Sequence, residues 1–175
     1  MIDKAIVEFD KYLSAKGLSF EGVVIGGAAL LVLKISTRQT RDVDCLYPQI
    51  PEEVKQASIN FSKESKTVKV EQNWFNNGPS SLVKTLPETW MRRLQPLFSG
   101  DALTLKTLGR ADLLKTKLFA YCDRTDPDFA DLLKLKPTAQ EIIDSADWVK
   151  DCDENPRWPD HVEKMFGLLK EALDE

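Results

Sequence analysis

The first part of the chain alternates between helical and strand-like patterns of apolar residues. Apolar positions recur at helical spacing over residues 3–17, and a short apolar strand over 22–25 runs into two glycines. A mostly apolar helical segment follows over 28–35, and a strand is predicted over 41–47. Residues 51–65 begin with a proline and an acidic first turn, which favours a helix there.

After residue 65 the pattern changes from strands to helices alone. Residues 66–72 alternate and predict a third strand, and residues 88–98 and 102–109 predict a hairpin. Helical spacing then continues in four segments: 110–124, 125–135, 138–151 and 159–175. This order predicts an α/β or α+β core over 1–110, followed by a small C-terminal helical subdomain over 111–175 that packs on the core.

Two of the later helices carry cap signals. Asp126 precedes Pro127 and is predicted to cap the helix that follows, with the proline in its first turn. Thr138 and Glu141 have the spacing of a capping box. One apolar stripe runs along the last helix, through Val162, Met165, Phe166, Leu169 and Leu173.

Composition and charge narrow the classes of function. The net charge of −4 argues against tight, non-specific binding to nucleic acid. Basic side chains are in excess over residues 84–117 and acidic ones over residues 118–175. That distribution fits either a basic surface that binds phosphate groups or two charged faces exposed to solvent. Composition alone favours the two solvent-exposed faces.

Sequence features point to a cytoplasmic protein. No apolar run is long enough to span a bilayer, and the charged N-terminal segment is not a secretory signal. Cys45, Cys122 and Cys152 are far apart and odd in number, so we expect free thiols in a reducing compartment. The single histidine, His161, is expected to be structural.

Two aspartates stand one residue apart in a segment that otherwise predicts a buried strand. Because strand side chains alternate between faces, Asp42 and Asp44 are expected on one face, with Val43 and Cys45 on the other. Two like charges this close are costly unless a cation lies between them. Mg²⁺ is usually held by one or two carboxylates together with substrate phosphates. The pair therefore predicts a site for Mg²⁺ or Mn²⁺.

The double glycine predicts a phosphate site beside this metal site. Gly26 and Gly27 follow a strand and open a helix, where backbone N–H groups favour an anion. A glycine pair, or an aspartate pair, is by itself common in turns. A strand, a glycine turn, a helix and then R-x-T-x-D-V-D form a more specific combination, which predicts nucleotidyl transfer.

The segment "IGGAALLVLKISTRQTRDVDCL" resembles the core motif of the DNA polymerase β-like nucleotidyltransferase superfamily, a glycine turn followed by D-x-D. Its R-x-T-x-D-V-D part is especially similar to the abortive-infection AbiE-type (AbiEii-like) toxin nucleotidyltransferases of bacteria. A later segment, "KLFAYCDRTDPDFADL", is similar to their second motif, K-h-x-A-x-x-x-R followed by D-x-x-D-L. The positions of that motif here are Lys117, Ala120, Arg124, Asp128, Asp131 and Leu132.

The resemblance implies a nucleotidyltransferase fold, with a mixed sheet flanked by helices, and an enzyme that moves NMP from an NTP to an acceptor hydroxyl. The implied nucleotide contacts are Gly26, Gly27, Arg38, Thr40, Lys117 and Arg124. The implied catalytic residues are Asp42, Asp44, Lys117, Asp128 and Asp131. The implied acceptors are a tRNA end, a protein hydroxyl or a small molecule, and the AbiE-like motifs imply a toxin with a cognate antitoxin protein.

Lys117 and Arg124 can also be interpreted from their spacing alone. They are seven residues apart on one predicted helix, so two cations on one face could reach a triphosphate. The alternative is a solvated basic face with Asp128 and Asp131 as salt-bridge partners. In the first case the Lys117 ammonium lies within a nucleotide's reach of the two strand aspartates. Lys117→Met would then barely change stability, but would lower nucleotide affinity or turnover by an order of magnitude or more.

The two motifs do not assign the third acidic residue that members of the superfamily often have. It often lies on the next strand, where Glu71 is the one acid in a suitable place and would be a further metal ligand. Related families with a segment similar to "NWFNN" tend to end it with an acid, where this chain has Asn77. Without a third acid the protein would use one metal, or would be a catalytically inactive nucleotide-binding or scaffold module. An unrelated α/β domain with structural aspartates is the remaining alternative.

Overall fold

Helices and strands follow one another in the predicted order in the computed structural model, which describes residues 1–174. The chain divides into two units, Met1–Gly109 and a second that begins at Arg110. Within the described residues, the first unit contains a five-stranded sheet with three α-helices, and the second contains α-helices alone.

The first unit is built around a mixed sheet. Its helices are α1 (Ile2–Ala15), α2 (Gly26–Val32) and α3 (Glu52–Glu64). Its strands are β1 (Phe20–Ile25), β2 (Val43–Tyr47), β3 (Phe75–Asn76), β4 (Gln95–Ser99) and β5 (Leu103–Thr107). The strands lie in the order β3-β2-β1-β5-β4, with β1–β5 and β2–β3 parallel and β1–β2 and β4–β5 antiparallel. The predicted α/β fold and the predicted hairpin are confirmed.

The third strand was predicted at the wrong place. Residues 66–72 form no strand, and β3 lies in the segment "NWFNN", which the sequence pattern marks as a loop. Trp74 and Phe75 are buried in the core and contact Phe9 and Phe61, so these large rings decide which residues reach β2. The alternation over 66–72 reflects one buried side chain, Val68, and no strand pairing. Two 3-10 helices, Gly78–Lys84 and Trp90–Arg93, follow β3, so the hairpin begins later than predicted, at β4.

One face of the sheet lies in the hydrophobic core with α1 and α3. Strand side chains on this face include Val24, Val43, Cys45, Leu103 and Leu105, and they form a single buried cluster with the apolar residues of the two helices. Since strand side chains alternate, the neighbours of these residues, Asp44 among them, lie on the other face.

A buried carboxylate joins α1 to the turn between β4 and β5. The side chain of Asp10 accepts hydrogen bonds from the backbone N–H groups of Asp101, Ala102 and Leu103, at 3.2, 2.8 and 2.8 Å. A Cβ atom at Gly100 would lie 2.2 Å from the Asp10 carboxyl carbon, so this turn requires glycine. Burial by itself raises the pKa of Asp10, but the three N–H donors outweigh it and the pKa is lower than usual.

The second unit consists of the four predicted helices. They are α4 (Arg110–Arg124), α5 (Asp128–Leu135), α6 (Ala139–Asp151) and α7 (Trp158–Asp174). The capping box of Thr138 and Glu141 is confirmed, with both reciprocal hydrogen bonds formed. The predicted cap at Asp126 is wrong, because α5 begins after Pro127 and has no side-chain cap.

No helix of residues 1–174 has the length and apolar character needed to cross a bilayer. The three cysteines are unpaired, and burial raises the pKa of Cys45 and Cys152 to about 11 and that of Cys122 to about 12. These thiols are protonated near neutral pH and are poor nucleophiles. The Nε2 atom of His161 lies 2.7 Å from the Cys122 carbonyl oxygen, a structural contact.

Candidate nucleotide site

The turn in which β1 passes into α2, at Gly26 and Gly27, lies directly against a carboxylate of β2. Gly26 has a φ of +78°, a conformation that favours glycine. A Cβ atom on Gly26 would lie 3.0 Å from Oδ2 of Asp44, so a side chain there would meet the carboxylate. The strand register causes this approach, because Asp44 pairs with Ile25, the residue just before the turn. Both backbone conformation and space therefore call for glycine at position 26.

The second glycine of the turn faces two polar side chains from the segment before β2. A Cβ atom on Gly27 would lie 3.0 Å from Nη2 of Arg38 and 3.2 Å from Oγ1 of Thr40. The glycine therefore lets a guanidinium group and a hydroxyl group approach the backbone of the turn. The structure thus brings together five residues that the sequence predicts as site residues: Gly26, Gly27, Arg38, Thr40 and Asp44.

The two aspartates show the alternation that the sequence predicts. Asp42 immediately precedes β2 and Asp44 is its second residue; both are half-buried, whereas Val43 and Cys45 are buried in the core. A strand with this pattern presents two carboxylates on the face opposite α1 and α3. Partial exposure lets both carboxylates meet a ligand from solvent.

Asn76 on β3 is a site residue that sequence reasoning missed. It pairs with Asp44 across the parallel strands, and its Nδ2 donates a hydrogen bond of 3.2 Å to Oδ1 of Asp44. Its own Oδ1 accepts a 2.7 Å hydrogen bond from the backbone N–H of Gly78, which fixes the orientation of the amide. An amide therefore lies beside Asp44, on the strand where the superfamily often has its third acid. Only the correct register of "NWFNN" against β2 could have identified it.

The two positions considered for that acid lie elsewhere. Asn77 has a structural role, because its Nδ2 donates to the carbonyl oxygens of Cys45 and Pro48 and its Oδ1 accepts from the N–H of Ile50. Glu71 is exposed and lies outside any strand, so its role as a metal ligand stays a prediction. Among residues 1–174, no group of three or more His, Cys, Asp or Glu side chains is arranged to hold a metal ion.

The donor set still fits one kind of divalent cation. Two partly exposed carboxylates provide hard oxygen ligands, and Mg²⁺ commonly takes one or two of these while substrate phosphates and water complete its shell. The Asn76 amide supports Asp44 as a hydrogen-bond donor, as residues behind metal ligands do. The arrangement suits a metal that arrives with a nucleotide better than a cage made of protein ligands alone.

The second predicted motif forms an ionic cluster inside the second unit. The Lys117 ammonium donates to Oδ1 of Asp128 and to Oδ2 of Asp131, each at 2.9 Å. Arg124 Nε donates to the other oxygen of Asp128 at 2.7 Å. Side chains of Lys117, Asp128 and Asp131 are 4%, 0% and 1% exposed, whereas that of Arg124 is 60% exposed. Two positive and two negative groups thus balance one another.

This geometry corrects one part of the earlier expectations for Lys117. The alternative of a basic face paired with Asp128 and Asp131 is right about the partners and wrong about solvation, since the lysine is buried. Burial also changes the expected result for Lys117→Met. Methionine would leave two buried carboxylates without their cation, so a marked loss of stability is now expected. The predicted roles of these residues toward a nucleotide stay predictions.

A glycine turn, an aspartate pair on the next strand and a mixed sheet are features of nucleotidyltransferase-like α/β proteins. Residues 3–150 match the model of a family described as "Nucleotidyltransferase of unknown function (DUF6036)", and the chain belongs to that family. No curated protein and no solved structure matches the chain. The predicted superfamily is therefore confirmed, whereas the similarity to AbiE-type toxins stays a prediction.

Proposed function

We propose that the protein is a metal-dependent nucleotidyltransferase, which moves NMP from an NTP to an acceptor hydroxyl. One observation carries the proposal: the Asp44 carboxylate lies 3.0 Å from the place where Gly26 would have a side chain. Backbone and carboxylate therefore border the same space. A phosphate with its cation is a ligand that would use both of them.

In this proposal the first unit supplies the groups that bind the triphosphate. Asp42 and Asp44 would hold Mg²⁺ or Mn²⁺, which when bound stabilises negative charge on the phosphoryl oxygens. Arg38 and Thr40, which lie against Gly27, would donate hydrogen bonds to phosphate oxygens. Having no side chains of their own, the glycines would let these polar groups and the phosphates approach the backbone together.

The reaction would be an in-line displacement at the α-phosphorus. The acceptor oxygen forms a bond to phosphorus, the bond to the bridging oxygen breaks, and pyrophosphate leaves. The acceptor proton would pass to Asp42 or Asp44, because the neighbouring Asn76 has no basic oxygen to receive it.

Four residues of the second unit enter the proposal through the resemblance. Lys117 would neutralise the pyrophosphate, Arg124 would contact the nucleotide, and Asp128 and Asp131 would orient the lysine. Their mutual hydrogen bonds support the orienting role, since the two carboxylates fix the position of the ammonium. On the same basis we propose a toxin with a cognate antitoxin, and a tRNA, protein or small-molecule acceptor.

A second candidate function is a catalytically inactive nucleotide-binding module. Asn76 favours it, because the strand beside the aspartates carries an amide where an acid could have served as base or second metal ligand. Both candidates bind a nucleotide with a metal, and they differ in whether a label is transferred.

A melting experiment tests the binding step that both candidates share. Mg²⁺ or Mn²⁺ with an NTP should raise the Tm of the wild type, corresponding to about 2.7 kcal/mol when the ligand is at 100 times its Kd. Changing Asp42 and Asp44 together to asparagine should abolish this shift and leave the Tm without ligand unchanged. A matched control changes Asp147 and Asp151, two exposed acidic residues of α6, to asparagine. This control should retain the ligand-induced rise in Tm. A double variant that responds like the wild type would exclude the aspartates as ligands.

Transfer is tested by incubation with each labelled NTP and total cellular RNA and protein, followed by electrophoresis. Labelled tRNA would support a toxin of the proposed kind, and labelled protein would support a protein acceptor. Binding of the nucleotide without label in RNA or protein would favour the inactive module.

A further inference from the structure

A mostly apolar cavity opens on the first unit, on the sheet face that carries Asp44. Its volume is about 350 Å³, within the ordinary range of roughly 300–1,000 Å³ for small-molecule sites. Residues that line it include Val23, Tyr47, Pro48, Met91, Leu94 and Lys106. The function proposed above uses none of them.

A strand irregularity places Tyr47 on the same face as Asp44. Tyr47 and Asp44 are three positions apart, so regular alternation would put their side chains on opposite faces. However, Val24 pairs with Cys45 and Val23 pairs with Tyr47, so β2 has one extra residue at this point. A bulge of this kind reverses the facing of the residues that follow it. Tyr47 therefore leaves the core face, and its Cα lies on the order of 10 Å from that of Asp44 along the strand.

The bulge completes a row of three side chains across neighbouring strands. Val23 on β1 pairs with Tyr47 on one side and with Lys106 of β5 on the other. Aromatic Tyr47, aliphatic Val23 and cationic Lys106 thus lie side by side on neighbouring strands, at the usual strand spacing of about 4.8 Å. A flat ring stacked on Tyr47 would lie over Val23 and turn one edge toward the Lys106 side of the row.

Tyr47 is suited to stacking. It is 43% exposed, and its ring makes an edge contact with Trp90 at 6.2 Å between centroids and 83° between planes. Trp90 is buried and so supports the tyrosine ring from one side. Met91, 48% exposed, gives a flexible apolar wall.

The rim of the cavity offers both a donor and an acceptor. Lys106 Nζ and Glu21 Oε1 form a 2.7 Å ion pair, and both side chains are partly exposed to solvent. Such a pair can exchange its mutual contact for hydrogen bonds to the edge of a polar ring. An aliphatic ligand would leave these groups unused, whereas a heterocyclic ring would use the stacking surface and the rim together.

We infer that this cavity binds a nucleobase, with the ring stacked on Tyr47 and its edge toward Lys106 and Glu21. The inference rests on the proposed function, which places a triphosphate at the glycine turn near Asp44. The nucleobase belongs either to the NTP or to a nucleic-acid acceptor, and both sources share the same recognition chemistry.

Calorimetric titration with base-containing and base-free probes tests this inference. The probes are ATP, UTP and inorganic tripolyphosphate, each with Mg²⁺, and a short single-stranded oligoribonucleotide. Stacking on one aromatic ring contributes on the order of tenfold in affinity. Tyr47→Ala should therefore lower the affinity for an NTP, or for the oligoribonucleotide, about tenfold and leave tripolyphosphate binding unchanged. Tyr47→Phe, which keeps the ring, should bind like the wild type.

Further variants separate the possible results. Met91→Glu puts a carboxylate into the cavity and should reproduce the Tyr47→Ala effect, while Ile143→Ala, an exposed change in the second unit, should have no effect. If Tyr47→Ala weakens binding of the NTP, the cavity binds the base of the NTP. If it weakens binding of the oligoribonucleotide, the cavity binds a base of the acceptor. Unchanged affinity of Tyr47→Ala for all base-containing probes would overturn the inference and leave the phosphate site standing. A wild type that binds neither NTP nor tripolyphosphate would overturn the proposed function, and the nucleobase site with it.

Discussion

Acidic side chains are held in two different ways in the two units of the chain. In the first unit Asp42 and Asp44 are half-buried, and the Asp44 carboxylate lies against the glycine turn at Gly26. In the second unit Asp128 and Asp131 are buried and bonded to Lys117, with Arg124 completing the charge balance. Both sets correspond to motifs of the same resemblance.

The difference predicts that mutations in the two sets of acidic residues have different effects. Carboxylates within reach of solvent can take up a cation from outside the chain, and their removal should change ligand binding more than folding. Carboxylates already neutralised in the interior depend on their partners, because a buried ion that loses its counter-ion is strongly destabilising. Predictions about the two sets therefore call for different measurements.

The largest effect on stability is expected for Lys117→Met. It should lower the free energy of unfolding by about 3–5 kcal/mol, because Asp128 and Asp131 would remain buried without their cation. Urea denaturation followed by circular dichroism would measure this loss. Adding Asp128→Asn and Asp131→Asn to the same chain should restore part of the stability. A single variant as stable as the wild type would mean that the cluster is not an obligate ion network.

Asp10 tests whether a buried carboxylate needs a cation at all. It is held by three backbone N–H groups, so Asp10→Asn should cost on the order of 2–3 kcal/mol near neutral pH. The folded-state pKa lies below the unfolded value of about 3.9, so this stabilisation is complete above that pH and is lost as pH falls through the folded pKa. The difference in unfolding free energy between wild type and variant should therefore shrink from pH 6 to pH 3. A difference that stays constant over this pH range would contradict the assignment of the stabilisation to the ionised Asp10 carboxylate.

Asn76→Asp would sharpen the account of the first unit. The new carboxylate would face Asp44 across the contact that Asn76 now makes, so without metal we expect a loss of about 1 kcal/mol from like-charge repulsion. Millimolar Mg²⁺ or Mn²⁺ should reverse the loss and raise the Tm more than in the wild type. Asn76→Ala is the matched control; it should lose metal affinity by about 10–100-fold, as expected for a partner behind a metal ligand. Equal Tm shifts in all three proteins would place the metal elsewhere.

The smallest effect is expected for Thr107→Val. The Thr107 hydroxyl is fully buried in β5 and has no hydrogen-bond partner among the described residues. Replacing it with a methyl group of similar size removes an unsatisfied polar atom, so the free energy of unfolding should stay equal or rise by about 1 kcal/mol. A clear loss of stability, measured by the same denaturation, would show that the hydroxyl has a partner in solution.

The order of elements was predictable because each signal was local. Periodicity over ten or more residues located α1, α3 and α4, and the glycine pair with D-x-D predicted the candidate site at the end of β1. The capping box of α6 was readable from two residues at fixed spacing.

Features set by pairing between distant segments were not predictable in this way. The position of β3 depends on how Trp74 and Phe75 fill the core, and that packing also brings Asn76 to Asp44. The burial of Lys117 depends on α5, which begins after Pro127 and brings Asp128 and Asp131 to the ammonium. No pattern within one helix reports how deeply a lysine lies.

The central strands of the first unit have a consequence for synthesis of the chain. Phe20 pairs with Leu103, and the N–H of Leu103 also bonds to Asp10, so the middle of the sheet joins segments more than eighty residues apart. Contacts of such sequence separation form late, because closing a loop of this length costs chain entropy before the contact can offset it. On the ribosome, α1 and β1 would emerge long before β5 and would expose apolar surface in the meantime. Nascent chains of increasing length should therefore become protease-resistant in one step, once the β4–β5 hairpin has left the exit tunnel.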